Sequence, residues 1–278
     1  MKKILLFSAI LILAAILVSS CGTVGSYKEQ TTDQLIFSAE KKIIVETKNG
    51  SISLEPWDGD KVKIETEKYV NGMGNLEEEI KKISINTSAN GDTVRIEAKL
   101  PDSPGFILGG LSFGAHFTVF VPENSFSDFI LKTSNGMVSC ARVSGNVDIS
   151  TSNGKIETEL IKGKVFLSTS NGPIILRNLI LTGNSNQAST SNGPIEFSGE
   201  IPGSGNLKLS SSNGPVTIKL SGNPNLEYDL RTSNGKISVT GFSKNVMRED
   251  KNSEKGRIGN GGFIIDAGTS NGSVSISK

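Results

Sequence analysis

His116 and a scattering of acidic residues are the side chains in this sequence that could carry out acid–base chemistry or bind a metal. His116 is the only histidine, and a histidine without a second histidine or a cysteine partner is more typical of a strand edge than of a metal ligand or general base. Acidic residues such as Asp148, Glu157 and Glu196 are interspersed with Ser and Lys, as on an ordinary exposed sheet. The sequence therefore predicts no catalytic residues, no metal site and no cofactor.

Cys21 is placed for a different chemistry, the attachment of lipid. Lysines at positions 2 and 3 precede an apolar run from Ile4 to Val18, which is short for a bilayer span, and small residues lead into the cysteine. This is the organisation of a cleaved signal peptide. The segment Val18-Ser19-Ser20-Cys21 resembles the bacterial lipobox, which implies cleavage before Cys21, a thioether-linked diacylglycerol on its sulfur and usually a third acyl chain, such as palmitate, on its amine.

Lipid attachment would decide both the location of the protein and its boundaries. Each buried methylene contributes about 0.8 kcal/mol, so two or three acyl chains hold a protein stably on a membrane. We expect residues 1–20 to be a lipoprotein signal peptide, residues 21–38 to be the lipidated cysteine and a linker, and residues 39–278 to be one domain. The protein would then be anchored in the cell envelope outside the cytoplasm, on the outer membrane if the cell has one. A plain secretory signal is the weaker alternative, because it leaves the position of Cys21 to chance.

The net charge argues against nucleic-acid binding, and the cysteine content argues against an intramolecular disulfide. The chain has 29 Lys and Arg against 28 Asp and Glu, and cleavage before Cys21 would remove only two lysines. A near-neutral chain lacks the basic surface of a nucleic-acid-binding protein. Cys140 is the only other cysteine, so an acylated Cys21 leaves no intramolecular disulfide, and we expect Cys140 to be a buried thiol.

An Asn-Gly dipeptide recurs through the second half of the chain. Six copies, each within Thr-Ser-Asn-Gly or Ser-Ser-Asn-Gly, follow one another at intervals of 18 or 21 residues, and a seventh Thr-Ser-Asn-Gly lies near the end of the chain after a longer interval. A period of this length is typical of a stacked array of repeats. The corner asparagines, as we call them, are Asn135, Asn153, Asn171, Asn192, Asn213, Asn234 and Asn271.

Each repeat has the pattern of a strand, an Asn-Gly corner, a second strand and a glycine-rich turn. In the unit from Asn146 to Gly163, Val147 and Ile149 alternate with polar residues before the corner, and the alternation resumes after it at Ile156. Alternation with a period of two and β-branched residues indicates half-buried strands. The predicted fold class is therefore all-β.

Asn-Gly between alternating strands is also the strongest local signal for a β-hairpin, so an antiparallel meander or barrel is an alternative. In three repeats a proline follows the glycine, at Pro173, Pro194 and Pro215. Proline has no N–H to close a two-residue hairpin, whereas a corner that only bends the chain tolerates it. We therefore predict a single-chain parallel β-solenoid with 18 to 21 residues per coil, in which each strand pairs with its counterpart one coil later.

Stacked coils would align identical side chains at the corners. Aligned Asn amides can hydrogen-bond from coil to coil as a ladder, and both Asn and Gly tolerate the left-handed backbone of a tight corner. The corner asparagines are therefore predicted to be structural. The threonines two positions earlier share the inward phase of the apolar residues, so we expect them to line the corner interior: Thr133, Thr151, Thr169, Thr190 and Thr232.

Three segments depart from the repeat. Asn75, with acidic residues after it and lysines at 81 and 82, predicts a short helix that begins after Asn75. Residues 101–115 are predicted to be a loop that exposes a candidate partner contact formed by Phe106, Ile107 and Leu108. The polar segment 243–262 is predicted to be a mobile, solvated insertion between the last two coils.

Several segments together resemble the bacterial putative-adhesin family, a β-strand-repeat domain found in secreted and membrane-anchored proteins. The matching segments are Lys48-Asn49-Gly50-Ser51-Ile52, Trp57-Asp58-Gly59-Asp60, Phe117-Thr118-Val119-Phe120-Val121-Pro122, the Thr-Ser-Asn-Gly series and the glycine-rich stretch into Thr269–Val274. The resemblance covers most of residues 40–278. It implies a right-handed β-helix and surface interaction, and it carries over no catalytic residues.

The leading hypothesis is a lipid-anchored, non-enzymatic β-solenoid that presents a ladder surface to a glycan, an envelope polymer or another protein. A polysaccharide-active β-helix enzyme is the first alternative, and it would need several acids and an arginine in one groove. An envelope-stress sensor is the second, because the resemblance also points to such a role. Its contact would be Phe106 to Leu108 or the segment 243–262.

Overall fold

The computed structural model describes residues 8–9, 25–35, 41–101 and 110–278. In these ranges the chain is all-β apart from one short helix, and it divides into two compact units. Unit 1 comprises the described residues up to Phe126 together with Ile130–Gly136, and unit 2 comprises Ser127–Phe129 and Met137–Lys278. Within the same ranges, no helix has the length and apolar character needed to cross a membrane.

Unit 1 contains the short helix and strands of both orientations. The elements are β1 (Ser8–Ala9), β2 (Gly25–Leu35), β3 (Lys42–Glu46), β4 (Ile52–Trp57), β5 (Val62–Gly72), α1 (Leu76–Ile80), β6 (Ser84–Asn90), β7 (Thr93–Lys99), β8 (Ser112–Pro122) and β9 (Asp128–Lys132). β9 begins in unit 2, and its last residues belong to unit 1.

Parallel and antiparallel pairing are combined in unit 1. β3 pairs in parallel with β7, and β4 with β8, as stacked coils do. β5 pairs antiparallel with both β2 and β8, and β6 pairs antiparallel with β7. The prediction of parallel pairing alone is therefore wrong for this unit. β6 pairs with a strand edge that a purely parallel stack would leave open.

Two segments of unit 1 differ from their predicted irregular structure. Residues 25–35, which we expected in a linker, form β2, and its register with β5 runs from Gly25 beside Gly72 to Leu35 beside Val62. The sequence pattern missed β2 because its residues are almost all polar. The loop predicted over 101–115 ends earlier, because β8 begins at Ser112.

The helix α1 is present where the sequence predicts it. The Asn75 side chain accepts a hydrogen bond from the Glu78 backbone N–H at 3.4 Å, and three acidic residues occupy the first turn. Both features stabilise a helix N-terminus, where backbone N–H groups lack partners. Ile80 is buried in a small apolar cluster of unit 1 with Val70, Ile83 and Phe113.

Unit 2 contains the regular repeat. Its strands are β10 (Val138–Ala141), β11 (Asn146–Asn153), β12 (Ile156–Glu159), β13 (Lys162–Gly163), β14 (Val165–Asn171), β15 (Ile174–Arg177), β16 (Ile180–Leu181), β17 (Asn186–Asn192), β18 (Ile195–Gly199), β19 (Gly205–Asn213), β20 (Val216–Leu220), β21 (Leu226–Asn234), β22 (Ile237–Val239), β23 (Lys244–Asp250), β24 (Ser253–Ile258), β25 (Phe263–Asn271) and β26 (Val274–Ser277).

Most strands of unit 2 are stacked in parallel. β11 pairs with β14, so that Val147 lies beside Val165 and Asn153 beside Asn171. β12 pairs with β15 in the same way. The strands before and after an Asn-Gly corner therefore pair with the next coil, as predicted for arches and not for hairpins. The long parallel stacks confirm an all-β, solenoid-like architecture.

The last coil of the chain is not the last coil of the stack. β25 lies between β19 and β21, and β26 lies between β20 and β22. Asn271 consequently lies between Asn213 and Asn234. This corrects the expectation that each strand pairs with its counterpart 18 to 21 residues later, because the C-terminal coil fills a gap between two earlier coils.

Residues 243–262 form a hairpin instead of the predicted irregular insertion. β23 pairs antiparallel with β24, which pairs antiparallel with β21. Glu254 is buried in this hairpin, where it accepts hydrogen bonds from the Tyr228 hydroxyl at 2.7 Å and from Lys244 Nζ at 2.6 Å. Composition alone suggested a solvated loop, because it does not show that the charged side chains pair across strands.

The interior of the coils is apolar, and the corner threonines join it. Thr133, Thr151, Thr169, Thr190 and Thr232 are all buried, which confirms their predicted inward phase. Cys140 is buried as well, and burial raises the pKa of its thiol to about 12. A thiol that stays protonated is unreactive, so Cys140 is the structural residue that the sequence predicts.

Candidate functional site

The corner asparagines of unit 2 form a continuous ladder of amide hydrogen bonds. The spatial order is Asn153, Asn171, Asn192, Asn213, Asn271 and Asn234, and from Asn171 onward each Nδ2 donates to the Oδ1 of the preceding corner at 2.8–2.9 Å. Asn135 belongs to unit 1, where its Nδ2 donates to Asn49 Oδ1 at 2.7 Å. The ladder orders a row of exposed polar groups along unit 2.

Two more hydrogen bonds fix each corner. The glycine N–H donates to the carbonyl of the asparagine one coil further, as from Gly172 to Asn192 at 2.9 Å. The inward threonine hydroxyl donates to a glycine carbonyl on the other side, as from Thr190 Oγ1 to Gly172 at 3.1 Å. Thr169, Ser211, Thr232 and Thr269 make the equivalent bond. Backbone and side chain are therefore both held at the corners of Thr169, Thr190, Ser211 and Thr269.

The ladder should protect its Asn-Gly pairs from deamidation. In this reaction the glycine nitrogen bonds to the asparagine Cγ, the Cγ–Nδ2 bond breaks with loss of ammonia, and water opens the imide to Asp or isoAsp. At Asn171, Asn192, Asn213 and Asn271, both the N–H of the following glycine and the asparagine Nδ2 are hydrogen-bonded. Asn90, by contrast, is exposed beside Gly91 in the β6–β7 turn, where φ of Gly91 is +62°.

We expect Asn90 to deamidate before the corner asparagines when the folded chain is incubated in mildly alkaline buffer. If a corner must open locally at a free-energy cost of about 3 kcal/mol, its reaction is slowed on the order of a hundredfold. Peptide mapping by mass spectrometry measures each site. In urea the difference should disappear, and equal rates at Asn90 and Asn192 in the folded chain would contradict the prediction.

A polar cleft of about 460 Å³ lies on unit 1, over the antiparallel strands β2, β5 and β8. Two cross-strand rows form its floor. Gln30, Glu67 and His116 are aligned in the first row, and Thr32, Glu65 and Thr118 in the second. Thr31 and Thr66 complete the lining. We call this feature the β2–β5–β8 cleft.

His116 is held at the cleft by three contacts. Its Nδ1 accepts the Ser51 backbone N–H at 2.9 Å and lies 2.8 Å from Ser51 Oγ. Its ring stacks on Tyr69 with centroids 4.9 Å apart. Burial lowers the pKa of the imidazole, and the Glu67 carboxylate opposes that shift only in part. His116 is therefore neutral at pH 7, with its proton on Nε2, because Nδ1 accepts a backbone N–H.

Glu67 is held in its charged form on the same row. Lys28 Nζ donates to Oε1 at 2.7 Å, and Gln30 Nε2 donates to Oε2 at 2.9 Å. The hydrogen bond from Lys28 holds the pKa of this carboxyl below its usual value, although partial burial acts in the opposite direction. Glu65 is paired in turn with Lys63 at 2.6 Å. Two carboxylates and two ammonium groups balance the charge around the cleft.

The free energy of unfolding should decrease as the pH falls below 6.5, the ordinary pKa of histidine. In that range the unfolded chain binds a proton at His116 before the folded chain does, so acid favours unfolding by at most about 1.4 kcal/mol per pH unit. Glu67 contributes a separate loss below its ordinary pKa of 4.5. Urea unfolding of the wild type and of His116→Gln tests this; identical pH dependence of both between pH 6.5 and 5 would contradict it.

The cleft was not predicted from the sequence. Two sites that were predicted from the sequence lie outside the described residues. These two sites are Cys21 and the segment from Phe106 to Leu108. The cleft depends on β2, which has no apolar pattern, and on a cross-strand register that brings Glu67 and His116 together. The alternation of Glu65 and Glu67 with buried residues in β5 was the one signal available in the sequence.

Comparison with protein families identifies the chain. The family model described as Toastrack DUF4097 matches residues 29–277. The chain belongs to the Toastrack DUF4097 family. The match confirms the resemblance to the putative-adhesin family that the repeat and its flanking motifs indicated.

Solved structures similar to this Toastrack DUF4097 chain are distant in sequence. A putative cell adhesion protein from Clostridium sporogenes is 12% identical with a TM-score of 0.38, over 90% of this chain and 99% of that chain. A putative adhesin from Bacteroides fragilis is 10% identical with a TM-score of 0.37, over 89% and 96% of the two chains. No curated protein sequence matches the chain at a significant level.

Proposed function

We propose that this protein is a non-enzymatic binding protein of the cell envelope, anchored through lipid on Cys21. The observation that carries the binding role is the preorganised surface of unit 2, where hydrogen bonds at 2.8–2.9 Å tie neighbouring corner asparagines to one another. Side chains that are already ordered lose little entropy when a partner binds. The family resemblance supports coils that wind in the right-handed sense.

The surface beside the ladder suits an extended partner. Exposed serines precede the corner asparagines on successive coils, at Ser152, Ser170, Ser191 and Ser212. Strands stacked in a sheet repeat at about 4.8 Å, so the hydroxyl and amide groups recur at that interval. A glycan, an envelope polymer or a protein strand could bind along such a row through repeated hydrogen bonds.

The cleft is the feature that most supports the alternative function of a polysaccharide-active enzyme, because Glu65, Glu67 and His116 all line it. A glycosidase needs one carboxylic acid that stays protonated, which requires a raised pKa. The Lys28 hydrogen bond lowers the pKa of Glu67 instead. Arginine is also absent from the residues lining the described cleft. These features favour binding over catalysis.

Lipid anchoring is tested by exchanging the two cysteines one at a time. We expect the wild type and Cys140→Ser, expressed in bacterial cells, to incorporate labelled palmitate and to remain with the membranes. Cys21→Ser should incorporate none and leave the membrane fraction. Equal labelling of Cys21→Ser and the wild type would refute the anchor.

The binding role is tested with an array of glycans, peptidoglycan fragments and envelope proteins probed with the full chain in detergent. Retention on at least one class without turnover of that ligand is the expected result. Turnover of polyuronates or other polysaccharides would support the enzyme instead.

A further inference from the structure

We propose that the β2–β5–β8 cleft binds a neutral, polyhydroxylated ligand, that is, a sugar without charged substituents. This inference rests on the proposed binding function and names a ligand class and a place for it. The place is in unit 1, and so differs from the ladder surface of unit 2.

His116 provides a hydrogen-bond donor that no protein acceptor in the described residues occupies. The Ser51 backbone N–H occupies Nδ1 of His116, so the imidazole proton is on Nε2. On the sheet His116 lies between Ser51 and Glu67, and both His116 and Glu67 line the cleft. Within the described ranges, no protein acceptor is hydrogen-bonded to Nε2. This N–H is therefore free to donate to a ligand oxygen in the cleft.

Glu67, Thr32 and Thr118 provide hydrogen-bond acceptors in the same cleft. The oxygens of Glu67 each accept one hydrogen bond, from Lys28 and Gln30, and each keeps a further lone pair. The hydroxyls of Thr32 and Thr118 both donate and accept. Vicinal sugar hydroxyls have this mixed character, and they can bridge a carboxylate to an imidazole N–H.

Charge and polarity exclude the other small-ligand classes. An anionic ligand such as a uronic acid or a phosphate would face Glu65 and Glu67, while Lys63 and Lys28 are already paired with them. An apolar ligand would take those charged pairs out of water and leave the Nε2–H without an acceptor, which is unfavourable. The volume of about 460 Å³ lies in the range of small-molecule sites. A neutral sugar satisfies all three conditions.

The experiment is a calorimetric titration of the full chain in detergent. The neutral probes are maltohexaose, cellohexaose and N-acetylchitohexaose, and the anionic probe is hexagalacturonate. We expect at least one neutral probe to bind. Gln30→Ala and Thr118→Val should each weaken its binding about tenfold or more, because each removes a hydrogen-bonding group from the cleft. The matched control variants in unit 2, Gln187→Ala and Thr217→Val, should bind like the wild type.

Each outcome decides the inference. It is overturned if no neutral probe binds, if only hexagalacturonate binds, or if both cleft variants bind a neutral probe as the wild type does. Weakening by the control variants alone would move the site to unit 2, and the binding function would then stand without the cleft. The binding function itself fails only if the wider array also retains nothing.

Discussion

Replacing Gly193 by alanine is expected to lower the free energy of unfolding by about 3–5 kcal/mol. Gly193 is a corner glycine in the middle of the stack, and a Cβ added there would lie 2.2 Å from the Gly172 carbonyl oxygen. That oxygen already accepts the Thr190 hydroxyl. Neither backbone can move without disturbing the coil beyond it, because Gly193 in turn donates its N–H to Asn213.

Urea unfolding followed by circular dichroism measures the loss. Gly203→Ala is the matched control in the same unit, because a Cβ at Gly203 meets no atom within 4 Å. Its stability should stay within about 0.5 kcal/mol of the wild type. If Gly193→Ala were as stable as Gly203→Ala, the close stacking of the corners would be refuted.

Deleting residues 263–278 is expected to unfold the end of unit 2. The deletion removes β25 and β26, which are central strands of the stack although they are last in the chain. Their inward side chains, Phe263, Ile265, Val274 and Ile276, are fully buried. Each contributes about 1.5–3 kcal/mol, so their combined loss is comparable with the whole net stability of a domain. β21 and β22 would lose their parallel neighbours at the same time.

Limited proteolysis and thermal unfolding test the deletion. We expect rapid cleavage within residues 226–258 and a lower Tm. The comparison variant replaces the hairpin of β23 and β24, residues 244–258, with a short glycine-serine linker. That variant removes only strands from the edge of the stack and should be affected less. A deletion variant that resists protease as the wild type does would mean that the C-terminal coil is dispensable.

The local features of the repeat could be predicted from the amino-acid pattern. Alternation placed the apolar residues inside the coils, and the same phase placed Thr169 and Thr190 with them. Proline after the corner glycine at Pro173 indicated arches, and the strands around that corner do pair with neighbouring coils. The burial of Cys140 and the helix after Asn75 followed as well. All of these depend on residues close together in the chain, where periodicity and backbone chemistry act directly.

The order of the strands and the composition of the cleft could not be predicted in this way and emerge from the folded chain. Asn213, Asn234 and Asn271 have nearly identical surroundings in the sequence, so the local pattern cannot show that Asn271 lies between the other two. β2 has no apolar face to mark it, and its place is fixed by backbone pairing with β5. His116, Ser51 and Glu67 meet only through that distant register, because hydrogen bonding between strands joins residues without regard to their separation in the chain.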